Sequence, residues 1–184
     1  MTELITNSQN IYSGRLLKVH VDTVKLTNGR ETTREIVEHP GAVAIIPLLD
    51  NKKLIVVKQY RTAAHKRLVE IPAGTLELGE TPLSCAKREL IEETGYTAKR
   101  FNRLFSCYLA PGYSTEKIHF FLARQLVPTK AKPAEDEAIT VHAMDLHEAL
   151  KDIERGKIQD AKTISALYYL ATHEKRRRKS RKRG

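Results

Sequence analysis

The order of apolar and polar residues predicts strands first, then one helix, then further strands and finally two helices. Strands are predicted where β-branched and other apolar residues form runs bounded by turn-forming residues such as Asp50-Asn51. In chain order these strands cover residues 19–26, 31–37, 36–49, 54–60, 67–71, 101–109, 117–124 and 138–143. This order of elements indicates a mixed sheet with helices packed against it.

Helices are predicted over residues 82–94, 146–155 and 161–173, and residues that favour helix ends bound each of them. The bounding residues are Thr81, Pro82 and Gly95 for the first helix, Asp145 and Gly156 for the second, and Asp160 for the third. The elements together predict an α/β (α+β) sandwich in which a mixed central β-sheet lies between helices.

The first forty residues are predicted to form a separate unit. Strands 19–26 and 31–37 flank Asn28-Gly29, the strongest short-range signal for a β-hairpin. A hairpin alone is marginally stable and needs a surface to pack against. We therefore divide the chain into an amino-terminal hairpin unit over 1–40, a central domain over 41–173 and a basic tail over 174–184.

Charge is concentrated at the end of the chain. The net charge is +10, and residues 175–183 carry eight cations, so the remainder is nearly neutral. A block of like charges this dense is predicted to be a disordered tail. Such a tail could contact RNA, DNA or a polyphosphate, and the alternative is a solvated tail without a dedicated partner.

The chain has 184 residues, 41% of them hydrophobic, which suits one compact domain with an appendage. Its longest apolar stretch, residues 42–49, is far shorter than the roughly 20 residues that cross a bilayer, and the amino terminus does not resemble a secretion signal. Cys85 and Cys107 are expected to be reduced thiols rather than a disulfide. These features predict a cytoplasmic protein without a membrane partner.

The richest chemistry lies in residues 74–96, GTLELGETPLSCAKRELIEETGY. One residue advances about 100° around a helix, so Glu89, Glu92 and Glu93 share one side. Like charges at this spacing repel each other, whereas a divalent cation that prefers hard oxygen ligands turns that repulsion into affinity. The segment therefore predicts a magnesium site, with an apolar side opposite it that is formed by Leu83, Ala86 and Leu90.

The spacing G-x5-E-x7-R-E-U-x-E-E-x-G-U, in which U is apolar, resembles the Nudix box. The matching polar residues are Glu80, Arg88, Glu89, Glu92 and Glu93. Tyr96 is the one loose match, because an aliphatic residue is usual there. Pro111, sixteen residues beyond Gly95, is similar to the signature of the ADP-ribose pyrophosphatase branch of that superfamily.

The resemblance implies two or three Mg²⁺ ions, for which Mn²⁺ could substitute. It implies that the Ala73 carbonyl oxygen, Glu89, Glu93 and Glu137 bind metal, and that Glu80 lies behind these ligands. It also implies catalytic roles for Arg88, Glu92 and Glu135, with Glu135 as the general base. Glu135 and Glu137 could exchange roles, and an ordinary solvated acidic loop is the alternative for both.

The implied substrate-binding residues lie on the hairpin, at strand ends and in the loop around Pro111: Arg34, Glu35, His39, Arg61, Thr75, Ala110, Pro111, Gly112 and Glu116. Arg61 could equally be a surface arginine that covers apolar neighbours, and Pro111-Gly112 could be an ordinary turn. Where relatives often stack an aromatic residue on adenine, this chain has Arg15 and Leu16. In this branch the amino-terminal strands also form a dimer, so the resemblance implies a homodimer.

The function implied is Mg²⁺-dependent hydrolysis of ADP-ribose to AMP and ribose 5-phosphate, with other nucleotide-sugar diphosphates as further substrates. The first alternative is another diphosphate, such as NADH, a dinucleoside polyphosphate or an RNA cap, and the basic tail favours the RNA version. The second is a non-catalytic nucleotide- or RNA-binding module, against which the intact set Arg88, Glu89, Glu92 and Glu93 argues.

Overall fold

The computed structural model describes residues 3–49, 53–129 and 139–181, with backbone only for residues 174–181. The strands are β1 (Leu4–Ser13), β2 (Lys18–Lys25), β3 (Glu31–Glu38), β4 (Ala42–Leu48), β5 (Lys53–Arg61), β6 (Lys66–Glu70), β7 (Ala73–Thr75), β8 (Tyr96–Tyr108), β9 (Lys117–Pro128) and β10 (Thr140–Asp145). The helices are α1 (Pro82–Thr94), α2 (Leu146–Glu154) and α3 (Ala161–Arg181), with a short 3₁₀ turn at Thr62–Ala64.

The first sheet is antiparallel and has the order β1-β2-β3. Its β2–β3 turn is closed by a hydrogen bond from the Leu26 amide to the Arg30 carbonyl at 2.8 Å, and Gly29 has φ +82°. The predicted hairpin is therefore confirmed, because glycine readily takes the left-handed conformation that this turn needs. The sequence prediction missed β1, in which every residue is exposed and no apolar periodicity marks a buried face.

The second sheet has the order β10-β5-β4-β9-β8, with β6 paired to β5 and β7 paired to β4. Strands β4 and β9 are parallel, whereas the other pairings are antiparallel. The predicted mixed sheet is confirmed. Every residue of β4 is buried, since this strand lies inside the sheet and helices cover both faces.

Alternate residues of β4 divide the core into two layers. Ala44 and Ile46 pack on the side of α2 and α3, where Leu167 is buried. Val43 and Ile45 pack on the side of α1, where Leu90 is buried. The predicted sandwich, with helices on both faces of the sheet, is therefore correct.

Helix α1 has the ends that the sequence predicts. The Thr81 hydroxyl accepts a hydrogen bond from the Ser84 amide at 3.2 Å, and Gly95 ends the helix with φ +70°. Leu83 differs from its predicted place on the apolar side, because its side chain is exposed. Cys85 is buried in its stead and packs with the β4 layer.

Other boundaries also differ from the sequence prediction. The predicted strand over 36–49 is divided into β3 and β4, because Gly41 turns the backbone at φ +97°. Strand β7 follows Pro72, where the sequence prediction ended the preceding strand, and α3 continues beyond the predicted end at 173. The three-part division of the chain stays a prediction. No helix in the described part of the chain is long and apolar enough to cross a membrane.

Candidate active site

The site is built where β7 passes the acidic side of α1. β7 pairs with the buried strand β4, which places Ala73 opposite Ala44 and Gly74 opposite Val43. The Ala73 amide donates a hydrogen bond to Glu93 Oε2 at 2.9 Å. A Cβ atom built on Gly74 would overlap the carboxyl group of Glu89. Any side chain at position 74 would therefore displace the Glu89 carboxyl group from its place beside β7.

Arg88 is the hub of the carboxylates on α1. Its guanidinium donates to both oxygens of Glu80, at 3.1 and 2.9 Å, and to Glu89 Oε1 at 2.6 Å. It also donates to Glu92 Oε2 at 3.1 Å and to the Thr75 carbonyl at 3.2 Å. Arg88 thus holds three carboxylates and the end of β7 in one arrangement, as a planar guanidinium with five N–H donors can do.

The ion pairs shift the protonation of this network. The hydrogen bond from Arg88 lowers the pKa of Glu80 to about 2, and the carboxylates around Arg88, Glu80 first, raise the pKa of its guanidinium. These groups therefore stay charged at neutral pH. Burial raises the pKa of the Cys85 thiol to about 12, so this cysteine is an uncharged packing residue.

The three glutamates that share the side of α1 are not equivalent. As whole residues, Glu89 and Glu93 are buried, with 9% and 7% of their surface exposed. The side chain of Glu92 is 52% exposed. Glu89 and Glu93 lie one helical turn apart and contact β7, while Glu92 extends toward solvent. The two buried carboxylates are therefore the ones positioned beside the backbone of Ala73 and Gly74.

The donors at this junction suit a hard divalent cation. Two carboxylates, from Glu89 and Glu93, lie beside β7, whose Ala73 carbonyl is the predicted backbone ligand. Among the described residues no group of three or more His, Cys, Asp or Glu side chains could hold a metal ion by itself. Two carboxylates and a backbone carbonyl are a donor set that Mg²⁺ accepts, because it completes its shell with water and substrate phosphates.

A cavity of about 230 Å³ opens beside β7 and brings four predicted site residues together. They are Arg61 from the end of β5, Ala73 and Thr75 from β7, and Glu116 from the loop before β9. Sequence reasoning missed two further residues in this lining, Asp160 and Lys162 at the start of α3. These lie about ninety residues further along the chain from β7, so no local spacing could have indicated them.

Asp160 and Lys162 belong to a second ion network around the buried carboxylate of Glu70. Arg61 donates to both oxygens of Glu70 at 2.8 Å, and Lys162 donates to Glu70 Oε2. Lys162 also donates to Asp160 Oδ1 at 3.0 Å. Burial raises the pKa of Glu70, but the hydrogen bond from Arg61 and the charge of Lys162 outweigh burial and hold it below its usual value.

A larger cavity of about 650 Å³ lies between the first sheet and the segment that leads into α1. Its lining includes the predicted residues His39 and Thr75, the loop residues Arg15 and Leu16, and the apolar side chains of Pro40, Leu76 and Leu78. Thr75 lines both cavities. The two cavities therefore share the end of β7. The glutamates of α1 are in neither lining, and Glu89 and Glu93 contact the β7 residues Gly74 and Ala73.

Other predicted site residues lie apart from this centre. Arg34 pairs with Glu3 at 2.6 Å on the first sheet, and neither Arg34 nor Glu35 is in the lining of the smaller or the larger cavity. The predicted loop residues Ala110, Pro111 and Gly112 also stand outside both linings. Glu135 and Glu137 lie outside the described residues.

The loop that carries Pro111 is nevertheless anchored beside the site. The Val37 amide donates to the Tyr113 carbonyl at 2.7 Å, and the Thr115 amide donates to the Val37 carbonyl at 3.0 Å. The His39 amide donates to the Thr115 hydroxyl at 2.9 Å. These bonds join the loop to the end of β3, next to the larger cavity.

Comparison with known proteins supports the resemblance to the Nudix box. The sequence profile of the NUDIX domain matches residues 38–167. An ADP-ribose pyrophosphatase of Bacillus subtilis (strain 168) is 45% identical over 168 residues, 90% of this chain and 91% of that protein. A methanol dehydrogenase activator of Bacillus methanolicus is 43% identical over 174 residues, 94% of each chain. A crystal structure of an ADP compounds hydrolase superposes with a TM-score of 0.85 at 25% identity and covers 96% of both chains.

Proposed function

The chain belongs to the NUDIX family, and we propose that it hydrolyses the diphosphate of ADP-ribose to AMP and ribose 5-phosphate with Mg²⁺. One observation carries the proposal: β7 contacts the buried carboxylates Glu89 and Glu93 and also lines two cavities, the smaller one through Ala73 and Gly74 and both through Thr75. A diphosphate joins two parts of a nucleotide sugar, and two cavities that share Thr75 suit that shape. The similarity to an ADP-ribose pyrophosphatase supports the same substrate.

We assign Mg²⁺ to Glu89, Glu93 and the Ala73 carbonyl, with Glu137 as a further ligand by resemblance. Bound Mg²⁺ would offset the charge of the diphosphate and activate a water molecule. Arg88 orients Glu89 and Glu92 by donating to both carboxylates. Glu80 in turn fixes Arg88 with two hydrogen bonds, so it acts behind the ligands.

The nucleoside is assigned to the larger cavity and the ribose phosphate to the smaller. The larger cavity presents apolar Leu76 and Leu78 to a base, and Arg15 and His39 bring polar groups to its rim. The smaller cavity presents Arg61, which could donate to a phosphate, and Glu116, which could accept hydrogen bonds from ribose hydroxyls. Glu135 remains the proposed general base by resemblance, and Glu137 could exchange roles with it.

To test the proposed function, the purified full-length chain is incubated with ADP-ribose, with and without Mg²⁺, and the products are identified by mass spectrometry. We expect Mg²⁺-dependent formation of AMP and ribose 5-phosphate, lost in Glu93→Gln. Glu154→Gln is the matched control, because it removes one exposed glutamate charge from α2. Turnover by Glu93→Gln at the wild-type rate would contradict the assignment of this carboxylate.

The same assay includes GDP-mannose, NADH, diadenosine polyphosphates and capped RNA. The panel is needed because relatives with different names, an ADP-ribose pyrophosphatase and a methanol dehydrogenase activator, are about equally similar to this chain. Capped RNA is included because residues 175–183 carry eight cations. Inertness toward ADP-ribose with turnover of another compound would overturn the substrate, and inertness toward all would favour a binding module.

We also propose that the first sheet forms a homodimer. β1 and the following turn expose Leu4, Ile5, Ile11, Tyr12 and Leu16, and such a series of exposed apolar side chains is typical of an interface. Sedimentation should give a dimer for the wild-type protein and a monomer for Ile5→Glu/Ile11→Glu.

A cytoplasmic location is proposed because Cys85 and Cys107 are both free thiols.

A further inference from the structure

Charge balance in the network around Glu70 bears on the proposed substrate site. The Glu70 carboxylate is 1% exposed and accepts hydrogen bonds from Arg61 on both oxygens. A buried carboxylate of this kind needs cationic partners to remain charged. If Arg61 were the only cation beside Glu70, the two charges would neutralise each other. Arg61 would then offer little net positive charge to a diphosphate.

Lys162 changes that balance. Its side chain is 11% exposed, and its ammonium donates to Glu70 and Asp160. With Arg61, the cluster therefore holds two cations and two carboxylates. Without the lysine the same cluster would carry a net negative charge at the wall of the smaller cavity, where it would repel an anionic ligand.

The network is also connected electrostatically and mechanically to the metal-binding junction. The hydrogen bond with Glu70 raises the pKa of Arg61, and the charges of Glu93 and Asp160 contribute to the same shift. Asp160 Oδ2 accepts from the Thr163 amide and hydroxyl at 2.9 and 2.6 Å. The Thr163 hydroxyl accepts from the Ile71 amide at 2.9 Å, two residues before β7.

We propose that Lys162 is a positioning residue for diphosphate binding, which neutralises Glu70 and Asp160 so that the charge of Arg61 remains available to the substrate. This inference rests on the proposed function, since it concerns the diphosphate of the same substrate. It assigns to α3 a role that the Nudix box does not contain. Lys162 acts through the charge of its partners and not by contact with the reacting atoms.

The test compares the wild-type protein with Lys162→Met, with the charge-balanced double variant Lys162→Met/Glu70→Gln, and with Lys157→Met. Lys157→Met is the matched control, because it removes one exposed positive charge just before α3. Binding of inorganic pyrophosphate with Mg²⁺ is measured by calorimetry. KM and kcat are measured with ADP-ribose, and urea unfolding reports which variants are folded.

For Lys162→Met we expect Kd for pyrophosphate and KM for ADP-ribose to rise about tenfold, with kcat changed less than about threefold. The double variant should recover most of the affinity, because one cation and one carboxylate remain. Lys157→Met should bind as the wild type does, since an exposed charge is screened by salt. A purely packing role would instead make the double variant at least as weak as the single one.

Wild-type affinity in Lys162→Met, or a folded double variant without recovery, would overturn the inference. If Lys162→Met does not fold, the double variant decides alone, because it removes the buried charge of Glu70 together with its lysine partner. It is then expected to bind pyrophosphate within about threefold of the wild type. A wild-type protein that fails to hydrolyse ADP-ribose would overturn the proposed function, while pyrophosphate binding would still decide the role of Lys162.

Discussion

Two ion networks flank β7, and they differ in burial and in the distance along the chain that they span. The network around Arg88 joins Glu80, Glu89 and Glu92, which lie within thirteen residues. The network around Glu70 joins β5 and β6 to α3, and Lys162 is 92 residues away from Glu70 in the sequence. The Arg88 network follows from the spacing of residues along α1 and the loop before it. The Glu70 network forms only when α3 packs beside β5 and β6.

The difference in burial separates their energetic roles. Arg88 is 27% exposed and Glu92 is half exposed. When one partner of the pair is removed, water can therefore replace part of the lost interaction. Glu70 is fully buried, and removal of its charge would leave Arg61 and Lys162 short of a partner. We therefore expect the Arg88 network to control activity and the Glu70 network to control both affinity and stability.

The largest expected effect is on stability and separates the networks directly. Glu70→Ala should lower the free energy of unfolding by about 3 kcal/mol or more, because it breaks a buried ion cluster. Glu92→Ala should lower it by about 0.5 kcal/mol or less, since that carboxylate is half exposed. Urea unfolding at pH 7 measures both values. Equal losses would mean that burial does not distinguish the two networks.

The second effect is on activity and concerns Gly74. Gly74→Ala should reduce kcat/KM about 100-fold, because the new methyl group displaces the carboxyl group of Glu89. The unfolding free energy should change little, since the end of a glutamate side chain can move aside. Gly156→Ala should show the opposite pattern, with full activity and about 1 kcal/mol less stability, because its φ is +70°. Full activity in Gly74→Ala would contradict the proposed junction.

A pH series then probes the pair of Arg88 and Glu80. The folded pKa of Glu80, about 2, lies below its ordinary value of 4.5, so this carboxylate stabilises the fold above about pH 4.5. That stabilisation is lost as the pH falls from there toward 2. Glu80→Gln should therefore unfold about 1 kcal/mol more easily than the wild type at pH 7 and by less at pH 3. A difference that is constant between pH 7 and pH 3 would contradict the ion pair.

The smallest effect concerns the start of α1, which presents the Arg88 network. Thr81→Ala removes the side chain that accepts from the Ser84 amide and should cost about 1 kcal/mol. Thr81→Ser keeps the hydroxyl and is the matched control, expected to stay within about 0.3 kcal/mol of the wild type. Chemical denaturation of the three proteins measures the difference. A loss in Thr81→Ser as large as that in Thr81→Ala would show that the methyl group matters and the cap does not.

Much of the fold could be predicted because its signals are local. The ends of α1 coincide with Thr81 and Gly95, since capping and a left-handed glycine act within a few residues. The β2–β3 hairpin follows from Asn28-Gly29 for the same reason. β1 could not be predicted, because its residues are all exposed and their order carries no periodicity.

The candidate site also combines features that local sequence signals predict with features that they do not. Glu89, Glu93 and Arg88 were predicted from spacing, but spacing could not show that Glu92 extends toward solvent while its neighbours are buried. That distinction depends on where β7 crosses α1. The roles proposed for Glu135 and Glu137 stay predictions, because both residues lie outside the described part of the chain.

The sequence by itself determined the acidic helix, the hairpin and the family, because each rests on residues that are near neighbours along the chain. Only the tertiary structure decided that Arg61 pairs with Glu70 and that Lys162 completes the cluster. It also decided that Thr75 lines two cavities. The physical reason is that local backbone geometry acts over a few residues, whereas burial and charge pairing depend on which distant segments the packed core brings together.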